Sequence, residues 1–271
     1  MSTFTQPAKK HLGQNFLHER SVIDKIVLAV APRPGDVIVE IGPGQGALTF
    51  PLLRKHGELT AIEFDRDLHV PLQAAARAHG TLHLIEGDVL GVDFTALAAA
   101  RGDANGQIRL VGNLPYNLSS PILFHALDHA PVVRDMHFML QKEVVERMAS
   151  GPGNKVYGRL TVMLQAYCSV TPLFTVPPGA FRPAPKVDSA VVRLVPKASD
   201  RIEVVDRQVF ANVVRAAFGQ RRKTLRNALS SVADSEQIEA AGLRPDARAE
   251  QIEVDGFVHL ANMLAGQSSP E

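Results

Sequence analysis

The sequence is poor in cysteine, in net charge and in long hydrophobic runs, and each shortage excludes a class of protein. Cys168 is the single cysteine, so an internal disulfide and a cysteine-rich zinc site are excluded. Lysine and arginine number 29 against 28 for aspartate and glutamate, so the overall charge gives no sign of a nucleic-acid partner. A site for such a partner would have to be a local patch.

The shortage of apolar runs bears on location. No stretch approaches the roughly 20 apolar residues that a membrane helix needs. The first 17 residues, MSTFTQPAKKHLGQNFL, lack the apolar core of a secretory signal. We therefore expect a cytoplasmic protein without a membrane segment, and a monomer.

What the sequence does contain is a regular alternation of strands and helices. Such an alternation predicts a doubly wound, mostly parallel Rossmann-like sheet, whose strands are continuously apolar because helices cover both faces. Residues 187–195 fit a strand that is added late, in antiparallel orientation. The apolar strands are predicted over residues 36–41, 59–63, 82–85, 108–111 and 136–140.

The pattern changes near residue 198. Beyond it strand-like runs disappear, and helical periodicity is found over residues 209–218, 224–232 and 257–264. We predict an α/β domain over residues 1–198, which includes an amino-terminal arm over 1–20. A small all-α domain over residues 199–271 is predicted to follow.

A glycine cluster follows the first predicted strand of the sheet. Residues 42–46 read GPGQG and are preceded by Glu40. Glycines Gly42 and Gly44 between a strand and a helix place backbone N–H groups beside a ligand. Dinucleotide folds usually read G-x-G-x-x-G, whereas the tighter spacing with an acid before it is typical of S-adenosylmethionine (SAM) methyltransferases. A carboxylate there suits a cofactor that carries an ammonium group.

Two further acids end the next two strands. Glu63 closes the second strand, where a carboxylate can accept both ribose hydroxyls. Asp88 follows the third, where it can accept from an adenine amino group. These residues favour SAM, with a nicotinamide dinucleotide as the competing cofactor.

The fourth strand opens into Asn113, Leu114, Pro115 and Tyr116. An exocyclic adenine amine is a poor nucleophile, because its lone pair is delocalised into the ring. The Asn113 side-chain oxygen and the Leu114 carbonyl can accept its hydrogens, and Pro115 stiffens the turn that carries the carbonyl. Tyr116 can stack on the base. A nicotinamide enzyme has no use for this arrangement, so the stretch favours SAM.

With these motifs the chain resembles the small-subunit (16S) ribosomal RNA adenine N6-dimethyltransferases. The resemblance covers nearly the whole chain, and the combination of motifs is more specific than any one of them. The matching segments are LGQNFL at 12–17, EIGPGQG at 40–46, GNLPYN at 112–117, QKEV at 141–144, YGRL at 157–160, FRPAPKV at 181–187 and QRRKTL at 220–225.

The resemblance implies that the protein dimethylates N6 of two adjacent adenines near the 3′ end of small-subunit rRNA, in an assembling 30S particle, with SAM as the methyl donor. It implies that Phe181 faces Tyr116 across the target base. It also implies a cofactor site made by Gln14, Asn15, Leu17, Gly42, Gly44, Glu63, Asp88 and Asn113.

A local basic patch offers a place for RNA. Residues 201–231 contain seven basic residues and two acidic ones. We predict RNA contacts by Arg221, Arg222, Lys223 and Arg226, with Arg222 and Arg226 one helical turn apart.

Two other functions stay open. One is methylation of a large-subunit adenine by an enzyme of the erythromycin-resistance type, and the other is a non-catalytic assembly factor that keeps an unused SAM site. A metal site is not expected, because His125 and His129 have helical spacing but no third ligand.

Overall fold

The structure is a computed structural model that describes residues 6–197, 203–220 and 222–267. Packing divides the chain into two compact units. The first is formed by residues 1–145 and 171–196, and the second by residues 146–170 and 197–271. Residues 146–170 precede the predicted division at residue 198 but belong to the second unit.

The predicted sheet is present. The strands of the described residues are β1 (Phe16–Leu17), β2 (Ile38–Ile41), β3 (Glu58–Glu63), β4 (Thr81–Glu86), β5 (Ile108–Asn113), β6 (Val133–Gln141), β7 (Cys168–Val176), β8 (Phe181–Arg182) and β9 (Ser189–Pro196). Seven of them form one sheet in the order β4–β3–β2–β5–β6–β9–β7, and the two short strands β1 and β8 form a second.

The strand directions match the prediction. Strands β2 to β6 pair in parallel, and β9 pairs with β6 in antiparallel register, with Met136 opposite Leu194. The central strand β2 is buried along its whole length, as a sheet covered on both faces requires.

Helices connect and cover these strands. The helices of the described residues are α1 (Arg20–Val30), α2 (Thr49–His56), α3 (Arg66–Ala76), α4 (Phe94–Arg101), α5 (Ser119–Asp128), α6 (Lys142–Ala149), α7 (Arg159–Tyr167), α8 (Arg207–Gly219), α9 (Leu225–Ala228), α10 (Ser235–Ala240) and α11 (Val254–Gln267). Several begin at an acidic cap. Asp65 accepts from the Asp67 N–H at the start of α3, and Asp206 accepts from two N–H groups at the start of α8.

The topology fixes where a ligand can bind. Strands β2, β3, β4 and β5 are parallel neighbours, so the loops that follow them lie at one edge of the sheet. This carboxyl edge is where open α/β sheets bind ligands.

The opposite edge is held by a buried ionic network. The guanidinium of Arg109, at the start of β5, makes two hydrogen bonds of 2.9 Å to the Asp135 carboxylate. It also lies 2.6 Å from Asp36 and 2.7 Å from the Val30 carbonyl. Burial opposes ionisation of Asp36, but hydrogen bonds from Arg134, the Arg33 N–H and Arg109 leave its pKa lowered. The charges of this network are therefore paired.

The second unit is helical. Helix α8 packs against α7 and α11. The rings of Tyr157 and Phe218 lie 5.9 Å apart, and the Tyr157 hydroxyl donates to the Ile252 carbonyl at 2.8 Å. These contacts tie residues 146–170 to the carboxyl-terminal helices, which the sequence could not indicate.

The predicted helix over residues 224–232 is wrong in length. Helix α9 spans Leu225–Ala228 only. At its start the Leu225 N–H donates to Ala247 and the Arg226 N–H to Pro245. At its end the Ser230 hydroxyl donates back to the Asn227 carbonyl at 3.3 Å. Such side-chain bonds compete with helix continuation.

Of the described residues, none belongs to a helix with the length and apolar character needed to cross a membrane.

Candidate cofactor and catalytic site

A cavity of about 210 Å³ opens at the carboxyl edge of the sheet. It is lined by five segments that are remote in sequence: residues 11–17, 40–45, 62–64, 87–89 and 113–118. Ten of the predicted site residues line it: Gln14, Asn15, Leu17, Gly42, Gly44, Glu63, Asp88, Asn113, Leu114 and Tyr116.

The glycine loop is shaped by positive backbone φ angles. Gly42 has φ +66° and Gly44 has φ +55°, values that favour glycine. A Cβ on Gly44 would lie 3.1 Å from the ring of Phe16, so this loop also passes close to the amino-terminal arm. The Gly42 N–H donates to the Ile62 carbonyl at 2.9 Å. This bond fixes the loop beside the end of β3.

Glu63 is held by the backbone around it. Its Oε2 accepts from the Gly44 N–H at 2.9 Å, and its Oε1 accepts from the Asp65 N–H at 2.8 Å. Burial raises the pKa of Glu63 despite these two bonds. Each carboxylate oxygen keeps one lone pair, which suits a pair of ribose hydroxyls.

The other two acids of the site, Glu40 and Asp88, differ strongly in burial. Glu40 is 2% exposed, and its carboxylate accepts from the Thr49 hydroxyl at 2.6 Å. Burial raises the pKa of Glu40 to about 8, although the Thr49 bond acts against it; the nearby charge of Glu63 adds to the rise. Asp88 is exposed, and its Oδ1 accepts from the Leu90 N–H at 3.0 Å.

This set of groups fits SAM. A cofactor with an ammonium group, two ribose hydroxyls and an adenine amine presents hydrogen-bond donors, and the cavity offers the acceptors Glu40, Glu63 and Asp88.

The Asn113 segment closes the same cavity. The Asn113 Nδ2 donates to the Asn15 carbonyl at 3.0 Å, and the Leu114 N–H donates to the Met139 carbonyl at 3.2 Å. The Tyr116 hydroxyl lies 2.7 Å from the hydroxyl of Ser189, which is buried in β9. The Asn113 amide and the Tyr116 ring are therefore each fixed by a hydrogen bond to a residue outside the segment 113–116.

Phe181 is placed differently from the expectation. Its side chain is 2% exposed and packs in the hydrophobic cluster that contains Leu17, Val22 and Val191. It is not among the residues that line the cavity. The pairing of β1 with β8 sets Phe181 opposite Leu17, which buries the ring. In this conformation Phe181 does not present a face for stacking.

Three residues in or near the site are not predicted from the sequence as part of it. Phe64 follows Glu63, is 60% exposed and lines the cavity. Lys9 and Asp65 hold the amino-terminal arm, with Lys9 Nζ 2.5 Å from Asp65 Oδ1. A large apolar side chain directly after the strand-end acid could have indicated Phe64, but the pair of Lys9 and Asp65 joins positions that are remote in sequence.

Three of the predicted RNA residues, Arg222, Lys223 and Arg226, belong to the second unit and are exposed. Arg222 precedes α9, so the expectation that Arg222 and Arg226 lie one helical turn apart is wrong. Arg221 lies outside the described residues.

The fold and this site define an S-adenosylmethionine-dependent methyltransferase. The family model described as ribosomal RNA adenine dimethylase matches residues 5–266. The chain therefore belongs to the ribosomal RNA adenine dimethylase family.

Individual relatives agree with this assignment. The chain is 70% identical to the ribosomal RNA small subunit methyltransferase A of Xanthomonas campestris pv. campestris (strain B100), over 97% of this chain and 98% of the relative. A dimethyladenosine transferase from Plasmodium falciparum has a similar structure, with a TM-score of 0.74 and 25% identity, over 90% of this chain and 95% of that one. The 23S rRNA methyltransferase ErmE shares the fold, with a TM-score of 0.70 and 24% identity, over 93% of this chain and all of that one.

Proposed function

We propose that this protein dimethylates N6 of two adjacent adenines near the 3′ end of small-subunit rRNA, in an assembling 30S particle in the cytoplasm. The observation that carries the proposal is that Asn113, Leu114 and Tyr116 line the same cavity as the carboxylates of Glu63 and Asp88. The identity of 70% to a small-subunit methyltransferase supports the choice of RNA. The structural likeness to ErmE, at 24% identity, supports only a common fold.

The cofactor would be held by the loops at the carboxyl edge. The polar groups of the cofactor would be bound by Gly42, Gly44, Glu63 and Asp88. The amino-terminal arm would contact the cofactor through Gln14, Asn15 and Leu17. When bound, SAM supplies a methyl group on a positively charged sulfur.

Asn113 and Leu114 activate the nucleophile. The side-chain oxygen of Asn113 and the carbonyl of Leu114 accept the two hydrogens of the adenine amine, so the nitrogen can pyramidalise and free its lone pair. No strong general base is needed, because the nitrogen becomes acidic once it is methylated. Acceptors that are fixed before the reaction cost no reorganisation when it takes place.

Tyr116 holds the base. An adenine must leave its stack to be methylated, and stacking on an aromatic ring offsets the unstacking by about 1–3 kcal/mol. The hydrogen bond between Tyr116 and Ser189 fixes the ring for this purpose. A second stacking face from Phe181 requires that its buried ring become exposed when RNA binds.

The basic residues of the helical unit would contact the RNA backbone. The positive charge that neutralises the phosphates would come from Arg221, Arg222, Lys223 and Arg226.

Methyl transfer to isolated ribosomal subunits tests the proposal. The pure protein and SAM are incubated with each subunit, and methylated adenines are mapped by mass spectrometry. We expect two adjacent dimethylated adenines near the 3′ end of the small-subunit RNA. Labelling confined to the large subunit would favour the erythromycin-resistance type of activity, and labelling of neither subunit would favour a non-catalytic factor.

A further inference from the structure

The orientation of the Asn113 amide is set by the amino-terminal arm. The Asn113 Nδ2 lies 3.0 Å from the main-chain carbonyl of Asn15. A carbonyl can only accept, so it selects the NH₂ side of the amide and leaves the oxygen as the acceptor for a substrate amine. An amide that turned over would present donors where the reaction needs an acceptor.

The arm also packs tightly against the Asn113 segment and the glycine loop. Gly13 has φ +65°, and a Cβ there would lie 3.0 Å from the side-chain oxygen of Asn117. The ring of Phe16 approaches Gly44 equally closely. Asn15 lies between these two contacts in sequence, so a shift of the arm would move its carbonyl away from Asn113.

A polar clamp holds the arm at its outer end. Lys9 Nζ lies 2.5 Å from Asp65 and 2.6 Å from Asp67, and the Gln14 side chain donates to Asp65 at 2.8 Å. The Lys9 N–H donates to the Gln14 side chain at 2.8 Å, which joins the two arm residues to each other. Asp65 is 5% exposed, whereas the Asp67 side chain is 65% exposed, so Asp65 is the stronger anchor.

Within the clamp, Gln14 lines the cavity, whereas the charged pair of Lys9 and Asp65 lies outside it. Neither Lys9 nor Asp65 is therefore placed to touch the cofactor or the base. Burial opposes ionisation of Asp65, but its bonds from Lys9 and Gln14 leave its pKa lowered. Hydrogen bonds to both acids raise the pKa of Lys9. The ion pair therefore persists through the neutral pH range.

We propose that Lys9 and Asp65 are positioning residues for methyl transfer, acting through the arm to hold the Asn15 carbonyl against the Asn113 amide. This inference rests on the proposed function, because it assigns a role in the chemical step to residues outside the site. It implies that loss of the clamp slows transfer even when the cofactor site is saturated.

The test is a double-mutant cycle between the clamp and the amide. Lys9→Met is made in the wild-type protein and in Asn113→Ala. The rate of the first methyl transfer to the isolated small subunit is measured in a single turnover at saturating concentrations of SAM and of the subunit. We expect Lys9→Met to slow the wild-type protein by about tenfold, since small misplacements of a catalytic group are costly. In the Asn113→Ala background, Lys9→Met should lower the transfer rate by less than about twofold, because there is no amide left to orient.

Matched variants separate positioning from loss of folding. Lys9→Arg keeps the charge and should stay near the wild-type rate, and Asp67→Asn removes only the exposed partner and should do the same. Asp65→Asn, which retains a residue able to cap α3, should slow transfer as Lys9→Met does. Thermal unfolding of each variant shows whether the fold is intact.

Three results would overturn the inference. The first is an unchanged single-turnover rate in Lys9→Met, and the second is an equal loss in both backgrounds. The third is a wild-type protein that transfers no methyl group to the isolated small subunit, which would overturn the proposed function and the inference with it.

Discussion

The carboxyl group of Glu40 is the most deeply buried acid of the site, and burial raises its pKa to about 8. In the unfolded chain the pKa is near 4.5. Between these two values the folded protein holds a proton that the unfolded chain has released. Folding stability attributable to Glu40 is therefore present at low pH and is lost as the pH rises toward 8.

Replacing Glu40 by glutamine should remove this pH dependence. A glutamine side chain cannot ionise but can still accept from the Thr49 hydroxyl. Between about pH 5 and 8 the free energy of unfolding of the wild type should fall relative to that of Glu40→Gln, by up to about 1.4 kcal/mol per pH unit. Urea unfolding of both proteins at several pH values measures the difference. Parallel pH profiles would show that the wild-type carboxyl is ionised in the fold.

In the proposed mechanism, Asn113 is the residue on which the chemistry depends most. Asn113→Ala removes one of two acceptors for the adenine amine and should lower turnover by about 10²–10³-fold, comparable to the loss of one preorganised hydrogen-bonding group. Binding of SAM, measured by calorimetry, should be intact or modestly weakened. Near-normal turnover would rule out the role assigned to this amide.

At the scale of elements, the parallel strands explain why the site could be located from the sequence. Each of the strands β2 to β5 ends at one part of the site: the glycine loop, Glu63, Asp88 and Asn113, in that order. Because these strands are parallel neighbours, their ends lie at one edge of the sheet. Strand β7 is not predicted, because it has no regular alternation and contains Pro172. Strand β7 is the last strand of the sheet, and proline is found mainly on such edge strands because one of their sides makes no ladder hydrogen bonds.

The buried ionic network at the amino ends of the strands should contribute to the stability of the sheet. Arg109 joins β5 to Asp135 in β6 and to Asp36, which precedes β2. Arg109→Met should lower the free energy of unfolding by about 3–5 kcal/mol, because the buried Asp135 carboxylate loses both hydrogen bonds from Arg109 and the buried Asp36 carboxylate loses one.

Urea unfolding measures this loss, and a matched exposed arginine serves as the control. Arg20 is 92% exposed and lies 4.0 Å from Asp24, so Arg20→Met should change stability by less than about 0.5 kcal/mol. A similar small change in Arg109→Met would mean that the buried network adds nothing to the stability of the sheet.

At the scale of the whole molecule, the charge is unevenly distributed although its sum is near zero. Residues 201–231 are basic, whereas residues 232–271 contain eight acids and two arginines. Replacing Arg222, Lys223 and Arg226 together with alanine should weaken RNA binding. The slope of log affinity against log salt should fall by about 1 for each phosphate that is no longer neutralised. The affinity for SAM should stay the same.

The control for this variant removes the same kind of charge elsewhere. Arg20 and Lys25 are exposed on α1, and their replacement by alanine should leave the salt slope unchanged. If the two variants behaved alike, the RNA surface would have to be sought outside this patch.

The sequence by itself determined the parallel strands of the sheet, the edge that carries the site and the chemical character of that edge. It could do so because strand periodicity and strand-end residues are local properties, and parallel pairing converts them into a common location. Only the tertiary structure decided the packing of residues 146–170 with the carboxyl-terminal helices, the burial of Phe181 and the clamp between Lys9 and Asp65. Each of these depends on contacts between segments that are distant in the chain, and such contacts are set by packing and not by local pattern.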